Sequence, residues 1–273
     1  MPNAAAAGLV TVAAVALAAV LVVDRSHGPT FHPSRVVCGG LVCAGAAAAC
    51  VAAVDGTPRQ RLLSSVAVVF SLRFMLMLFV LVPRRVLWWE SICTGGGCAL
   101  LFPGFVVAAA TASPSLCLTN DLPAFLLHVA GSVLTTGSEV QRWQFKRTLR
   151  RGAEGCYTGG LFSVARHINY TGEVLCFAGW AMLTNSNEAL VVPLFFWLAL
   201  TYFYAPGLER HLTAKYGGDK AWREWQAPAF APSWLLLAAT LLCAVHVGAQ
   251  QQLDAQSLYH GTSSNRPEAS LHR

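Results

Sequence analysis

The sequence predicts an all-α fold, a polytopic membrane helix bundle of about seven to eight transmembrane helices. Three observations predict it. Charged residues make up only 12% of the 273 and apolar residues 55%, against roughly 25% and 45–50% in soluble domains. The mean hydropathy is +0.51. The few charges are gathered into short stretches, and the apolar runs between them approach the ~20 residues that a helix needs to cross a ~30 Å hydrocarbon core. This composition excludes disorder for most of the chain, because disordered segments are polar and charge-rich. The net charge of +6 comes from 19 Lys+Arg against 13 Asp+Glu. In such a chain, basic loops report orientation and give no sign of a nucleic-acid partner.

The runs follow in order. Ala4–Val23 is long enough to span and lacks the basic start of a secretory signal, so it reads as a retained first helix. Val36–Val54 is rich in Ala, Gly and Cys, which suits close helix packing. Leu62–Val82 spans with Arg73 inside it. Leu100–Thr111 with its flanks forms the next helix, disturbed near its start by Pro103. Leu122–Leu134 is shorter and carries His128. Val174–Leu183 and Ala189–Tyr204 are separated only by Thr184–Glu188 and read as a helical hairpin. Pro232–Val247 is the last span, and the polar segment Ala249–Arg273 reads as a disordered tail. The organisation is therefore N-terminal helices over 1–61, a main membrane domain over 62–248 and a tail over 249–273.

Counted this way, 14 of the 19 Lys+Arg fall on one side, in the stretches holding Arg25 and Arg35, Arg84 and Arg85, Arg142 to Arg166, and Arg210 to Arg223. That side is expected to be cytosolic. Arg59 and Arg61 are the exceptions. The formal sequon Asn169-Tyr170-Thr171 then faces the cytosol and is expected to be unmodified. The nine cysteines include no paired two-residue metal spacing, so they read as small buried hydrophobes with no metal site.

The chemistry-bearing side chains lie in two polar segments, Thr135–Glu173 and Ala205–Ala227, with only the apolar hairpin between them. Folding the hairpin brings both segments to one membrane face. In a helix over Ser138–Arg147, Glu139, Arg142 and Lys146 share a face, and the two cations suit phosphate oxygens. Arg166, His167, Asn169, Tyr170 and Glu173 arrive within eight residues, directly before an apolar run. Helical spacing puts Arg166, Tyr170 and Glu173 on one face and lets Asn169 meet Glu173. A salt bridge from Arg166 to Glu173 that merely seats the helix is the plainer alternative. Ionisable groups at membrane depth mark functional sites by default. In the third piece His211 and Lys215 are four apart, and Trp222 and Trp225 are one turn apart, the pattern also of an interfacial aromatic belt.

Gly160-Leu-Phe followed by Arg166-His-x-Asn-Tyr-x-Gly-Glu173 resembles the signature of the steroid 5-alpha-reductase C-terminal superfamily, which includes sterol reductases and an unassigned bacterial-type branch. Ser138-Glu139-x-Gln141 to Phe145-Lys146 resembles the segment before that signature. Leu208-Glu209-Arg210 to Lys215-Tyr216-Gly217, with Trp222 to Pro232, resembles the segment after it. Leu72-Arg73 and Arg84-Arg85 resemble a helix of the unassigned branch, and the resemblance covers roughly 62–235. It departs from the family pattern in Ile168 for a usual Pro, in Glu139 for a usual Asp, and in the absence of an N-terminal Gln/Glu pair.

What the resemblance implies is an integral membrane enzyme with a cofactor cavity at its cytosolic mouth. It would be an NADPH-dependent reductase of a carbon–carbon double bond in a lipid or sterol-like substrate, placed in the endoplasmic reticulum. Arg142 and Lys146 would hold phosphates, and Asn169, Tyr170 and Glu173 would contact the nicotinamide and ribose part. Lys215, Tyr216 and His211 would close over the adenosine side, and Phe162, Arg166, His167, Glu209 and Trp225 would line the same cavity. Tyr170 would donate the proton, and Glu173 would orient cofactor or substrate. There is no Gly-x-Gly-x-x-Gly motif, so a Rossmann site is not expected. Two other readings stay open. One is a membrane S-adenosylmethionine-dependent methyltransferase of the isoprenylcysteine or phospholipid type, which shares an Arg-His core. The other is a non-catalytic membrane scaffold.

Overall fold

The computed structural model describes residues 32–82, 84–111, 115–149, 155–225 and 227–230, with two further positions at 245 and 248. The expected span Ala4–Val23, all of Pro232–Val247 except Val245, and the tail lie outside the described residues.

Helix starts follow local chemistry. α1, Pro33–Ala52, opens with a proline in its first turn, and the His32 ring accepts from the Ser34 N–H. α2, Pro58–Leu76, begins with a capping box in which Thr57 and Gln60 satisfy each other's backbone N–H groups. It runs on into a π-turn, Met77–Leu81. A π-turn shifts the hydrogen-bond ladder and leaves carbonyls to be satisfied from elsewhere. Arg35 of α1 does this, donating to the carbonyls of Leu78 at 3.1 Å and Val82 at 2.7 Å, and also to that of Arg84. A cation expected in a loop is instead a buried clasp at one face of the bundle.

α3, Trp88–Ala108, starts well before the predicted Leu100 and carries Pro103 inside it. The apolar run sets only its second half. Its start is set by Glu90, which accepts from the Leu87 N–H at 3.0 Å. α4, Leu118–Thr148, is one helix of 31 residues, where the sequence suggested a short span followed by a separate polar helix. At 1.5 Å per residue it is about 46 Å long, so its charged end continues beyond its apolar part. α5, Ile168–Thr184, ends at the left-handed Asn185. The return limb passes through a short turn, Glu188–Leu190, into α6, Val191–Leu198, a π-segment, Ala199–Tyr204, and α7, Ala205–Tyr216. The hairpin is therefore present, and its return limb runs straight into the second polar segment. α8, Lys220–Glu224, starts on Asp219, whose side chain accepts from the Ala221 N–H.

Four of the described stretches are long and apolar enough to cross a membrane: Pro33–Ala52, Pro58–Leu81, Trp88–Ala108 and Glu188–Tyr216. α2 and α3 pack with α5 around an aromatic core. Phe102 and Phe105 lie 5.1 and 5.2 Å from Trp180, and Phe70 lies 5.5 Å from both Phe177 and Trp180. At the face opposite Arg35, Arg59 is 1% exposed. It donates to both oxygens of Asp121 at 2.6 and 3.2 Å, to the Leu183 carbonyl at 2.9 Å and to the Ser115 carbonyl at 2.8 Å. Arg59 thus ceases to be an exception to the charge bias, because it is a buried tie between α2, α4 and α5 and not a loop cation.

The closest helix contact is between α4 and α5. A Cβ on Gly131 would lie 2.3 Å from the Cys176 nitrogen, and one on Gly172 would lie 2.4 Å from Thr135 Oγ1. Small residues permit this approach, and Thr135 Oγ1 uses it to donate to the carbonyls of Gly131 and Asn169, both at 3.1 Å. Gly131→Val is expected to force the helices apart and lower the melting temperature, at a cost of about 1–3 kcal/mol or more. Gly104→Ala, whose added methyl meets nothing within 4 Å, should leave it unchanged or raised. Thermal denaturation of the two variants checks this.

Candidate functional site

The site forms where the polar end of α4 meets the first turn of α5. Glu139 is 3% exposed and acts as the hub. Its Oε1 accepts from Asn169 Nδ2 at 3.0 Å, and its Oε2 pairs with Arg142. The Arg142 guanidinium lies 5.6 Å over the Phe162 ring. That ring is held by a short turn, Gly160–Ser163, opened by Gly160 at φ +56°. Only glycine adopts this backbone freely, and a Cβ there would also meet Gln141 Oε1 at 2.4 Å. Gln141 Oε1 accepts from the Leu161 N–H at 2.9 Å, fixing the turn to α4. Trp225 Nε1 donates to the Phe162 carbonyl at 3.0 Å, drawing in the end of the second polar segment.

A second group clamps that segment to α5. Arg166 donates through Nε to Glu209 at 3.0 Å and through Nη1 to the Ala227 carbonyl at 2.8 Å. The backbone N–H groups of Arg166 and His167 donate to the carbonyls of Pro228 and Ala229. The His167 ring stacks on Tyr170 at 5.3 Å and packs against Phe230 at 5.4 Å. Its Nε2 lies 2.7 Å from Glu209 Oε1 but out of line for a hydrogen bond. The expected pairing of Arg166 with Glu173, and of Asn169 with Glu173, is not what the structure shows. α5 begins only at Ile168 with His167 as its cap. Arg166 is therefore outside the helix and turns to Glu209, while Asn169 turns to Glu139.

The cations converge on the same mouth. Partial desolvation, then the charges of Arg142 and Lys215, hold Lys146 below the ordinary lysine range, although its side chain is still exposed at the surface. Lys215 lies 5.4 Å over the Tyr216 ring. His211 is exposed on α7 and makes no polar contact with Glu139, Arg142 or Asn169. Glu173 stands apart from this group, one turn further along α5, and pairs with Arg73 of α2 at 3.3 Å.

Two residues escaped the sequence reading of the site. Glu139 was placed on the right helix face, but its role as hub depends on α5, which no local spacing reveals. Arg73 carried a readable signal, a lone charge inside an apolar run, but not the identity of its partner.

Burial holds His167 below the ordinary imidazole range, and Arg166 and Arg142 add to this, while Glu209 opposes it. The folded chain therefore binds fewer protons here than the unfolded chain. Its stability is full above the ordinary imidazole pKa of about 6.5 and falls as the pH drops below it. Melting temperature against pH should show this acid loss, and His167→Gln should flatten it.

Comparison with known proteins places a family match on this region. The family described as "Protein of unknown function (DUF1295)" matches residues 98–229, from within α3 to the strand of chain clamped by His167. A protein of Ustilaginoidea virens named "Probable O-methyltransferase ustE" is 28% identical over 148 residues, half of this chain. The chain spans about half the length of that relative.

Proposed function

We propose that this chain is an integral membrane enzyme that uses NADPH to reduce a carbon–carbon double bond of an apolar, lipid-like molecule. The observation that carries the reading is the convergence of Arg142, Lys146 and Lys215 beside the Glu139–Asn169 pair and the Phe162 ring. The donor set fits a dinucleotide. Three cations suit phosphate oxygens, an amide and a carboxylate suit a carboxamide and ribose hydroxyls, and aromatic faces suit stacking. The match to a family grouped with the steroid 5-alpha-reductase-like proteins supports the same reading.

The roles follow from the placement of each side chain. Arg142, Lys146 and Lys215 bind phosphates, with Tyr216 and His211 on the same limb. Asn169, oriented by Glu139, meets the nicotinamide part. Arg166, His167, Glu209 and Trp225 hold the second polar segment over α5 and keep water from its first turn. Phe162 forms a wall. When bound, NADPH supplies the hydride, and the partner carbon requires a proton. Tyr170, stacked on His167 in the first turn of α5, is the proposed donor. The charge bias of the loops supports a cytosolic mouth. An apolar substrate places the enzyme in a lipid-metabolising membrane such as the endoplasmic reticulum.

The name of the Ustilaginoidea virens relative favours a second reading, a methyltransferase using S-adenosylmethionine. Electrostatics separates the two. S-adenosylmethionine carries a sulfonium and an ammonium cation against one carboxylate and no phosphate, so three gathered cations favour the polyanionic dinucleotide over it. In a thermal-shift titration of the purified full chain, NADPH at about 100 times its Kd should add about 2.7 kcal/mol of stability. S-adenosylmethionine should add none. Arg142→Ala and Lys146→Ala should each weaken NADPH binding about tenfold or more. A response to S-adenosylmethionine alone would overturn the reductase reading.

A further inference from the structure

Two Arg–acid pairs are buried among the helices, and they differ in one respect. Arg59 meets Asp121 through both oxygens and places its remaining N–H groups on the carbonyls of Leu183 and Ser115. Arg73 meets Glu173 through one nitrogen and one oxygen, at 3.3 Å. Charged pairs usually close to 2.7–2.9 Å and engage both arms of the guanidinium. Arg73 Nε and Nη1 are buried without a partner, and the guanidinium lies 4.4 Å over the Phe70 ring. Glu173 makes no polar contact other than Arg73 among the described residues, and 24% of its side chain is exposed. Further along the same wall Trp180 is fully buried and also packs on Phe70, and its Nε1 has no acceptor.

Unsatisfied polar groups at membrane depth are expensive. Packing does not force this one, because the same bundle saturates Arg59. The pair lies between the mouth and the aromatic core, since Glu173 is one turn inward of Asn169 and Arg73 is on the helix beside it. The second oxygen of Glu173 is an acceptor without a partner, and Arg73 Nε and Nη1 are donors without one, so a ligand there must donate and can also accept. The pair is neutral in sum, so a charged ligand would be left uncompensated. Arg73 lies over Phe70, whose ring packs on the buried rings of Phe177 and Trp180, so the surroundings of the pair are apolar and suit an apolar ligand.

We propose that Arg73 and Glu173 anchor the hydroxyl group of an otherwise apolar molecule, the substrate of the site above. The hydroxyl donates to Glu173, and its oxygen accepts from the Arg73 fork. This rests on the reading of the mouth as a cofactor site for an apolar substrate, and assigns Glu173 to the substrate and not to the cofactor.

The test uses the full chain in phosphatidylcholine nanodiscs without cofactor, and reads the melting temperature against added probe. 1-Hexadecanol should give a saturable rise. Hexadecyl methyl ether, which accepts but cannot donate, should bind about tenfold more weakly or worse, and hexadecane should give no saturable rise. The double variant Arg73→Met with Glu173→Leu leaves no buried charge and should fold, because apolar replacement of both partners is commonly tolerated. It should lose the preference for the alcohol. Equal responses to alcohol and ether overturn the proposal on the unaltered protein, whatever the variant does. So does a response to nicotinamide with none to 1-hexadecanol, which would return Glu173 to the cofactor. The NADPH titration is read separately, so its failure alone sinks the cofactor reading and, with it, the assignment of the hydroxyl to a substrate, while alcohol binding at the pair is still read on its own.

Discussion

The backbone-to-backbone contact of α4 and α5 is the constraint on which the site depends. Gly131 and Gly172 let the two helices approach closely enough for Thr135 to bond carbonyls on both. One of those carbonyls belongs to Asn169, whose side chain then reaches Glu139 one turn further along α4. A wider spacing would leave a buried carboxylate with Arg142 as its single partner and would release Asn169. Steric room at two glycines thus sets the electrostatics of a site more than a helical turn away.

Charge is distributed by depth. Arg59–Asp121 closes one face of the bundle, and Arg35 and the Glu139 cluster close the other, while Arg73–Glu173 lies between. The closing groups each bond several partners and act as ties, although Arg35 Nε has none. Each joins segments distant in the chain, as Arg59 does with Asp121 and Leu183. Such ties orient helices that apolar packing alone would leave free to slide, since lipid and core are equally apolar. The pair between them makes a single contact and leaves two guanidinium nitrogens without a partner.

The second polar segment reaches the site by two devices. The return limb of the hairpin runs continuously into α7, which carries Glu209 and Lys215 to the mouth. The chain after α8 is then captured by main-chain bonds from Arg166 and His167, and by the indole of Trp225. Neither device is strong by itself. Together they place residues some 60 positions apart in the sequence within hydrogen-bond reach.

Much of this was legible in the sequence. Apolar run lengths reflect bilayer thickness, so the runs 36–54, 62–82 and 189–204 could be read from composition, and helices at 33–52, 58–81 and 188–216 match them except for the polar extension beyond 204. The hairpin could be read from its short polar turn, and the meeting of the two polar segments from the hairpin. The start of α3 and the continuity of α4 could not, because both cross polar or glycine-rich stretches that become helical only when packed. The partners of Glu139, Arg166 and Glu173 were also hidden. Local spacing offered Arg166 and Asn169 to Glu173, but the start of α5 at Ile168 turned both away. The sequence by itself determined which residues are polar and how far into the apolar runs they stand, because hydrophobicity and helix rise are local properties. Only the tertiary structure decided which charge meets which, because a pairing depends on the approach and rotation of whole helices, and glycines distant in the chain control that.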